Sequence, residues 1–438
     1  MERTVYLDNS ATTPLSAAAR EAIASAMECY GNPSSLHTLG QQSERLVKNA
    51  REQILSALGV RRGQGSVVFT SCGTEATSLA LFGTAHAKKR RDALRILTTD
   101  SEHPATSKVL DALGEEGFEI VRIPTLGGRI DMDALDRALD KKIFLATFML
   151  VNNETGALYS IKEAFAKIKR QYPDAITHVD AIQGFMRVRF SPAGLGADLV
   201  SVSGHKIHAP KGIGALYVSA ELIKAKKIAP FLLGGGQEEG MRSGTENVMG
   251  ICAFGASCAD MSARREEIEA KLSELYVYAT DRLCGLGLQL NIPVGAHVDH
   301  IINVTLPDVK SETMLHHLSA DGIFVSSGSA CSSHSTAPSG SLIAFGLTPR
   351  QADCSIRISL SEYNTKEDID ALCASLESGL ERLVRIKYRA VYSPLFFEDE
   401  GKRVDNVGGN EGVFSHFACG NVARKSVDIR TKSSHVKK

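Results

Sequence analysis

The 438-residue chain has the composition of a globular protein, with 43% hydrophobic and 23% charged residues. Its 50 basic and 50 acidic residues give a formal net charge of +0, so no overall basic field favours nucleic acid or an anionic membrane. No apolar run approaches the ~20 residues of a membrane-spanning helix, and MERTVYLDNSATTP resembles neither a signal nor a transit peptide. The nine cysteines are scattered without metal-binding spacing. They favour reduced thiols in a cytoplasmic protein and no metal site.

Short β-branched runs alternate with amphipathic segments in the first half of the chain. The pattern predicts strands at 66–70, 94–99, 118–123, 143–150, 176–180, 199–203 and 213–218, with helices at 76–91, 107–113, 132–139 and 161–170. Strands that alternate with helices predict an α/β fold whose mostly parallel sheet is covered on both faces. Ligands of such sheets bind beyond the carboxyl ends of the strands. The residues that follow each strand are therefore the candidates for a site.

The pattern becomes more mixed after about residue 258. It predicts a charged helix at 261–286, then strands at 301–306, 322–325 and 355–360, and helices at 312–318 and 366–388. We therefore predict a large domain and a smaller α+β domain with a mobile cysteine loop, flanked by two terminal segments. The boundaries are 1–14 (an arm joining the small domain), 15–260 (large), 261–391 (small, with the loop at 326–340) and 392–438 (a polar tail, disordered or partner-docking).

The ends of three predicted strands carry polar residues that each have an ordinary explanation. SCGTE follows the first strand and turns into a helix, so Gly73 and Thr74 are candidates for binding an anion, although such residues commonly serve only as caps. His103 follows the second strand in DSEHP, where a surface or cap role is the commoner one. Asn153 follows the strand at 143–150 in VNNETG, a sequence typical of turns.

The next two strand ends are harder to explain as surface chemistry. Asp180 ends a buried strand, where a carboxylate needs a cation, and Gln183 lies three residues beyond it. Lys206 follows the next strand between two histidines, in SGHKIH. A buried lysine with a lowered pKa is typical of a Schiff-base amine. Together the strand ends offer the groups that pyridoxal 5'-phosphate (PLP) requires: a phosphate cup, a stacking imidazole, an acid for the pyridine nitrogen, an amide and an amine.

Longer motifs resemble the cysteine desulfurases of the NifS/IscS type, in class V of the aminotransferase-fold PLP enzymes. The motifs are YLDNSATTP, GNPSS, SGHKIHAPKGIGALY, GGGQEEGMRSGTEN, SSGSACSS and SIRISL, spread over roughly residues 5 to 390. The resemblance implies the type I aminotransferase fold with a seven-stranded sheet. It also implies a homodimer whose active site is completed by the neighbouring subunit.

The resemblance implies a role for each matched residue. Lys206 would be the PLP lysine, and His103 would stack on the ring and assist the acid–base steps. Asp180 would pair with the pyridine nitrogen, and Gln183 would bond the phenolic oxygen. The remaining residues would hold the phosphate (Gly73, Thr74, Ser203, His205 and the partner subunit's Thr245) or the substrate carboxylate (Asn153 and Arg357).

Cys331 is the thiol on which the reaction implied by the resemblance depends. It lies in the Ser/Gly-rich stretch SSGSACSSHSTAPSG, which without context is typical of a linker with an incidental cysteine. In the implied reaction, Lys206 removes the Cα proton of L-cysteine and the Cys331 thiolate attacks the sulfur. His103 or His334 would deprotonate the thiol. The products are alanine and a Cys331 persulfide, which is passed to acceptor proteins for iron–sulfur cluster, thio-cofactor or tRNA-thiolation synthesis.

Other functions remain open at this point. A selenocysteine lyase or another class V enzyme, such as an aminotransferase, is the enzymatic alternative, but an ordinary aminotransferase needs no thiol like Cys331. A sulfur-transfer assembly subunit without activity is the non-enzymatic alternative, and loss of Lys206 or Asp180 would favour it. Three further residues depart from the family pattern or have no assigned role: Asn9 where Tyr is common, Cys72 where Gly is common, and Cys419, interpreted as incidental.

Overall fold

The computed structural model describes residues 4–87, 93–328 and 338–391. The strands in these ranges are β1 (Val5–Tyr6), β2 (Gly65–Thr70), β3 (Arg95–Thr99), β4 (Glu119–Ile123), β5 (Ile143–Met149), β6 (Ile176–Asp180), β7 (Leu199–Ser203), β8 (Gly214–Ser219), β9 (Gln289–Leu290), β10 (Ile301–Thr305), β11 (Ile323–Phe324), β12 (Ser326–Ser327) and β13 (Ser355–Ser359). The helices are α1 (Ala17–Met27), α2 (Thr38–Ala57), α3 (Gly73–His86), α4 (Pro104–Glu115), α5 (Met132–Ala138), α6 (Ile161–Gln171), α7 (Pro192–Leu195), α8 (Ala220–Lys224), α9 (Val248–Ala263), α10 (Arg265–Gly285), α11 (Ser311–Ala320), α12 (Gly340–Phe345), α13 (Pro349–Asp353) and α14 (Lys366–Val391).

A seven-stranded sheet confirms the predicted α/β class. Its order is β2-β8-β7-β6-β5-β3-β4, and β8 runs antiparallel to the other six strands. A strand antiparallel to the one before it needs no crossover helix, so β7 and β8 are joined by the short segment 204–213. This segment, which starts with a 3₁₀ turn at Gly204–Lys206, leaves the sheet at the carboxyl end of β7.

Two apolar layers cover the faces of this sheet. Side chains of α3 and α4, including Leu79 and Leu110, form one buried cluster with Leu145 and Leu199. The other face belongs to a larger cluster in which the rings of Phe148 on β5 and Phe165 on α6 stack 5.6 Å apart. Coverage on both faces explains why β3, β6 and β7 are buried along their whole length.

A second, antiparallel sheet has the order β12-β13-β10-β9. The N-terminal strand β1 pairs in parallel with β11, and an isolated bridge joins Asp8 to Ser359 at the end of β13. Residues 8–11 thereby lie between the end of β13 and the segment that follows β7. The described residues up to Lys387 belong to one compact unit, and the division into two domains stays a prediction.

One predicted helix was wrong in its bounds. The stretch predicted as a single helix at 261–286 is the end of α9 followed by α10, with Arg264 between them. The prediction missed most of α9 because its many apolar and small residues leave no clear amphipathic period, and half of them are buried. None of the helices in the described part of the chain is both long and apolar enough to span a membrane.

Candidate active site

Lys206 lies at the end of the 3₁₀ turn that follows β7. Its ammonium donates hydrogen bonds to the carbonyl oxygens of Ser10 and Ala11, the latter at 2.8 Å. The side-chain amide of Gln183 donates to the same Ser10 oxygen at 2.9 Å. The N-terminal segment therefore brings Lys206 and Gln183 together, although no motif in the sequence linked them to residues 10 and 11.

Asp180 ends β6, one strand away from Lys206. Its Oδ1 accepts a hydrogen bond of 3.0 Å from the backbone N–H of Ile182, which fixes the carboxyl group at the sheet edge. Burial raises the pKa of Asp180 to about 6, against the opposing effects of this hydrogen bond and of the Lys206 charge. A buried carboxyl group in this position is stabilised as the anion when a further cation binds beside it.

Two histidines face the Lys206 charge as neutral imidazoles. His103 caps the N-terminus of α4, where its Nδ1 accepts a hydrogen bond of 3.1 Å from the N–H of Ala105. That bond leaves Nε2 as the protonated nitrogen of the neutral ring. Burial, followed by the charge of Lys206, lowers the pKa of His103 to about 4, and the same two effects together with Lys211 lower the pKa of His205 to about 4. Both rings are therefore uncharged at neutral pH.

The first turn of α3 forms a cradle beside the end of β7. A Cβ atom on Gly73 would lie only 2.4 Å from Cδ1 of Ile182 and 3.2 Å from Cβ of Ser203, so a side chain at this position would displace Ile182 and narrow the cradle. The hydroxyl oxygen of Ser203 is buried and has no hydrogen-bond partner among the described residues. Cys72 occupies the N-cap position without a side-chain capping bond, which leaves the N–H groups of the helix start to bind an anion.

Arg357 and Asn153 form a second group of residues. Nη1 of Arg357 donates to the carbonyl oxygen of Asn153 at 3.0 Å, and Nη2 donates to Oδ1 of Asp8 at 2.8 Å. The guanidinium is almost fully buried, with 3% of the side chain exposed. Its Nε and the Oδ1 of Asn153 are buried without partners among the described residues. A buried cation with an unused N–H group suits a carboxylate ligand.

The remaining predicted site residues have exposed side chains or lie outside the described residues. Thr74 is exposed in the first turn of α3, and Thr245 is exposed at a cavity of about 150 Å³ that Ser71 and Gly212 also line. Cys331 and His334 fall in 329–337, and Cys419 falls in 392–438, both outside the described residues. Their predicted roles stay predictions.

Sequence reasoning missed two buried carboxyl groups beside the site. Glu102 accepts hydrogen bonds through Oε1 from Thr99 and from the backbone of Met149, and burial raises its pKa to about 8. Glu154 accepts a hydrogen bond of 2.6 Å from Ser339, and burial raises its pKa to about 7. Both residues adjoin predicted site residues in the sequence, and that adjacency was the only signal that pointed to them.

The first group of residues fits PLP. The Gly73 cradle and the partnerless Ser203 hydroxyl suit a phosphate, and the buried Asp180 carboxyl suits a protonated ring nitrogen. Lys206 is the amine within reach of the same sheet edge, since its charge acts on Asp180, His103 and His205. The predicted cofactor and the geometry of the strand ends therefore agree.

Comparison with known proteins decides the family. The family model Aminotransferase class-V matches residues 5–372. The chain belongs to the class V aminotransferase family. A cysteine desulfurase IscS of Dictyoglomus turgidum (strain DSM 6724 / Z-1310) is 38% identical over 389 residues, which cover 87% of this chain and 96% of that protein.

Solved structures of this family agree with the fold. A NifS-like protein matches with a TM-score of 0.80 and 31% identity over 87% of this chain and 100% of its own. A structure described as SspA in complex with cysteine matches with a TM-score of 0.70 and 27% identity over 83% of this chain and 100% of its own. The comparisons confirm the predicted resemblance to cysteine desulfurases, the fold class and the dependence on PLP.

Proposed function

We propose that this class V enzyme removes sulfur from L-cysteine, with Lys206 as its PLP lysine and Cys331 as the thiol that takes the sulfur. One observation carries the assignment of roles. Lys206, Asp180 and His103 meet at one sheet edge, and residues 8–11 connect that edge to Arg357. An amine suited to the cofactor and a cation suited to an amino-acid carboxylate thus contact the two ends of one short segment, which supports the proposal.

Arg357 and Asn153 orient the substrate. The guanidinium binds the α-carboxylate through N–H groups in a buried setting, where charge-assisted hydrogen bonds are strong. Asn153 adds its side-chain amide from the loop that follows β5. Because the carboxylate is fixed, the Cα–H bond and the sulfur of L-cysteine take defined directions relative to Lys206.

Lys206 and His103 move the protons. When bound, PLP supplies an electron sink for the pair of electrons left at Cα. The Lys206 amine takes the Cα proton, and the carbonyl oxygens of Ser10 and Ala11 stabilise the resulting ammonium. His103 is the second group that carries a proton here: it is a neutral imidazole at physiological pH with its proton on Nε2, and its Nδ1 accepts the N–H of Ala105.

Cys331 receives the sulfur. Its thiolate attacks the substrate sulfur, and an S–S bond forms as the C–S bond breaks. The carbon skeleton leaves as alanine after Cβ has gained a proton and Lys206 has returned its proton to Cα. Cys331 lies outside the described residues, but both flanks of 329–337 reach the site. Ser339 donates to Glu154, and a Cβ on Gly328 would lie 2.4 Å from Oε2 of Glu154, next to Asn153 in the sequence.

The assembly and the sulfur acceptor also belong to the proposal. Large apolar side chains are exposed around the 231–233 stretch and between α1 and α2, among them Tyr30 (80%), Leu36 (92%) and Leu233 (78%). Such a surface is typical of an interface, and we assign it to a homodimer in which the partner subunit's Thr245 completes the phosphate site. The persulfide then passes to a scaffold or carrier protein in the cytoplasm.

Incubation with L-cysteine in the absence of reductant tests the proposed roles. We expect alanine to form and one sulfur atom to be added to the Cys331 peptide, as detected by mass spectrometry. Cys331→Ala abolishes both, whereas the control thiol variant Cys284→Ala, on α10, retains both. Alanine or keto-acid formation that is unaffected by Cys331→Ala would make Cys331 incidental and identify a different class V reaction. A parallel assay with selenocysteine distinguishes a lyase that prefers selenium.

A further inference from the structure

Arg357 already binds a carboxylate that belongs to the protein. Asp8 accepts the hydrogen bond of 2.8 Å from Nη2, and the two side chains are 20% and 3% exposed. The two residues are 349 positions apart in the sequence, so the contact is made by the fold rather than by a local motif. A buried guanidinium needs such a counter-charge, because removing it from water is costly.

The backbone keeps Asp8 near Arg357. Asp8 forms a bridge with Ser359, the N–H of Asn9 donates to the Ser359 carbonyl oxygen, and the N–H of Ser10 donates to the Ser359 hydroxyl at 2.9 Å. The Asp8 side chain is able to rotate, but its main chain is held by β13. A substrate carboxylate that arrives at Arg357 therefore stays close to a second negative charge.

We propose that Asp8 is a positioning residue that neutralises Arg357 in the empty enzyme and weakens its hold on amino-acid carboxylates, so that the product alanine is released. The inference rests on the proposed role of Arg357 as the carboxylate ligand. Like charges that share one cation repel each other, and a low-dielectric site strengthens that repulsion. Asp8 thus weakens the binding of amino-acid carboxylates and thereby allows faster release of alanine.

The same segment also contacts the lysine. Ser10 and Ala11, two and three residues beyond Asp8, supply the carbonyl oxygens that bind the Lys206 ammonium. A substrate carboxylate that displaces the Asp8 side chain therefore lies beside the fixed segment that holds Lys206. This connection places Asp8 between the two groups of the site.

Asp8→Asn tests the proposal through the direction of its effect. Asparagine keeps the shape and a hydrogen-bond acceptor for Nη2 but removes the charge. We expect the dissociation constant of L-alanine for the holoenzyme, measured by titration calorimetry, to fall about tenfold, the equivalent of about 1.4 kcal/mol. The KM for L-cysteine falls in the same direction, and kcat does not rise. A variant that was merely damaged would bind L-alanine more weakly.

Two further variants make the result decisive. Asp140→Asn removes a carboxylate from another buried guanidinium, that of Arg95, at the opposite end of the sheet, and leaves L-alanine binding unchanged. Arg357→Gln weakens L-alanine binding strongly. Unchanged or weaker binding by Asp8→Asn, with Arg357→Gln behaving as expected, would overturn the role of Asp8 alone. Unchanged binding by Arg357→Gln would overturn both roles. The melting temperature of each variant without L-alanine checks that the variant is folded.

Discussion

The two groups of site residues differ in how they are built and in how their charges are balanced. The cofactor group comes from neighbouring strand ends, with Asp180 at the end of β6 and Lys206 just after β7, and it contains two neutral imidazoles. The residues that bind the substrate carboxylate come from three distant stretches of the chain, which contribute Arg357, Asn153 and Asp8. The Arg357 cation is already paired with Asp8, whereas the raised pKa of Asp180 indicates that the cost of burying its carboxylate is not fully offset.

This difference predicts opposite responses to ligands. A cationic pyridine ring relieves the cost of burying Asp180, so the cofactor group gains stability when PLP binds. A substrate carboxylate has to share Arg357 with Asp8, so the residues around Arg357 gain less stability when the substrate binds. Variants that change one charge in either group therefore separate tight cofactor binding from loose substrate binding.

The largest effect is expected for Lys206→Ala. Without the amine, both the proposed base and the attachment point of PLP are lost, so alanine formation falls by roughly 10³-fold or more. The measurement is the initial rate of alanine formation from L-cysteine with excess PLP. Lys211→Ala, which removes an exposed lysine from the same segment, serves as the control and retains most of the activity. Comparable losses in the two variants would contradict the assignment of Lys206.

The next largest effect is expected for Arg357→Gln. Loss of a buried, hydrogen-bonded cation removes the carboxylate contact, and kcat/KM for L-cysteine falls by roughly 10²-fold. The loss is expected mainly in KM, while the absorbance of bound PLP stays normal because the cofactor group is separate. A normal KM combined with loss of PLP would show that Arg357 belongs to the cofactor group instead.

Asp180→Asn is expected to have a smaller effect, on the stability of the protein, and the direction of this effect depends on whether PLP is bound. Burial raises the pKa of Asp180 from 3.8 to about 6, so folding loses stability as pH rises through that interval. The cost is absent below about pH 4 and complete above about pH 6, where it amounts to about 3 kcal/mol. We expect the PLP-free variant to be more stable than the PLP-free parent protein at pH 7.5 and to bind PLP more weakly.

Chemical denaturation at pH 4 and pH 7.5, with and without PLP, checks this prediction. The stability difference between the PLP-free proteins should appear at pH 7.5 and nearly vanish at pH 4. A PLP-free variant that is less stable at pH 7.5 would show that Asp180 is already neutralised within the protein. The contrast with the paired Arg357 would then be wrong.

The smallest effect on turnover is expected for Glu102→Gln. Because burial raises the pKa of Glu102 to about 8, the parent residue is mostly neutral at pH 7, and glutamine preserves its hydrogen bonds to Thr99 and Met149. Activity at pH 7 therefore stays close to that of the parent enzyme. Its raised pKa costs the parent protein stability as pH rises from about 4.5 to about 8, so the stability advantage of the variant grows over that interval. A large loss of activity at pH 7 would assign Glu102 a direct part in the reaction.

The cofactor group was predictable from the sequence because a parallel sheet brings its strand ends to one edge. Strands β6 and β7 have the predicted bounds, and Asp180, Gln183 and Lys206 follow from them. The contacts of Lys206 with residues 10 and 11, and of Arg357 with Asp8, were not predictable, because each joins stretches nearly 200 residues apart or more. A helix with many small apolar residues, such as α9, also escapes a search based on amphipathic periods.

Chemical trapping of the cofactor tests the central assignment most directly. Reduction of the holoenzyme with borohydride fixes PLP to the lysine that carries it, and digestion followed by mass spectrometry identifies the labelled peptide. The account predicts the label on Lys206, with its loss in Lys206→Ala and its retention in Lys211→Ala. A label on Lys211 or on any other lysine would contradict the site described at the end of β7.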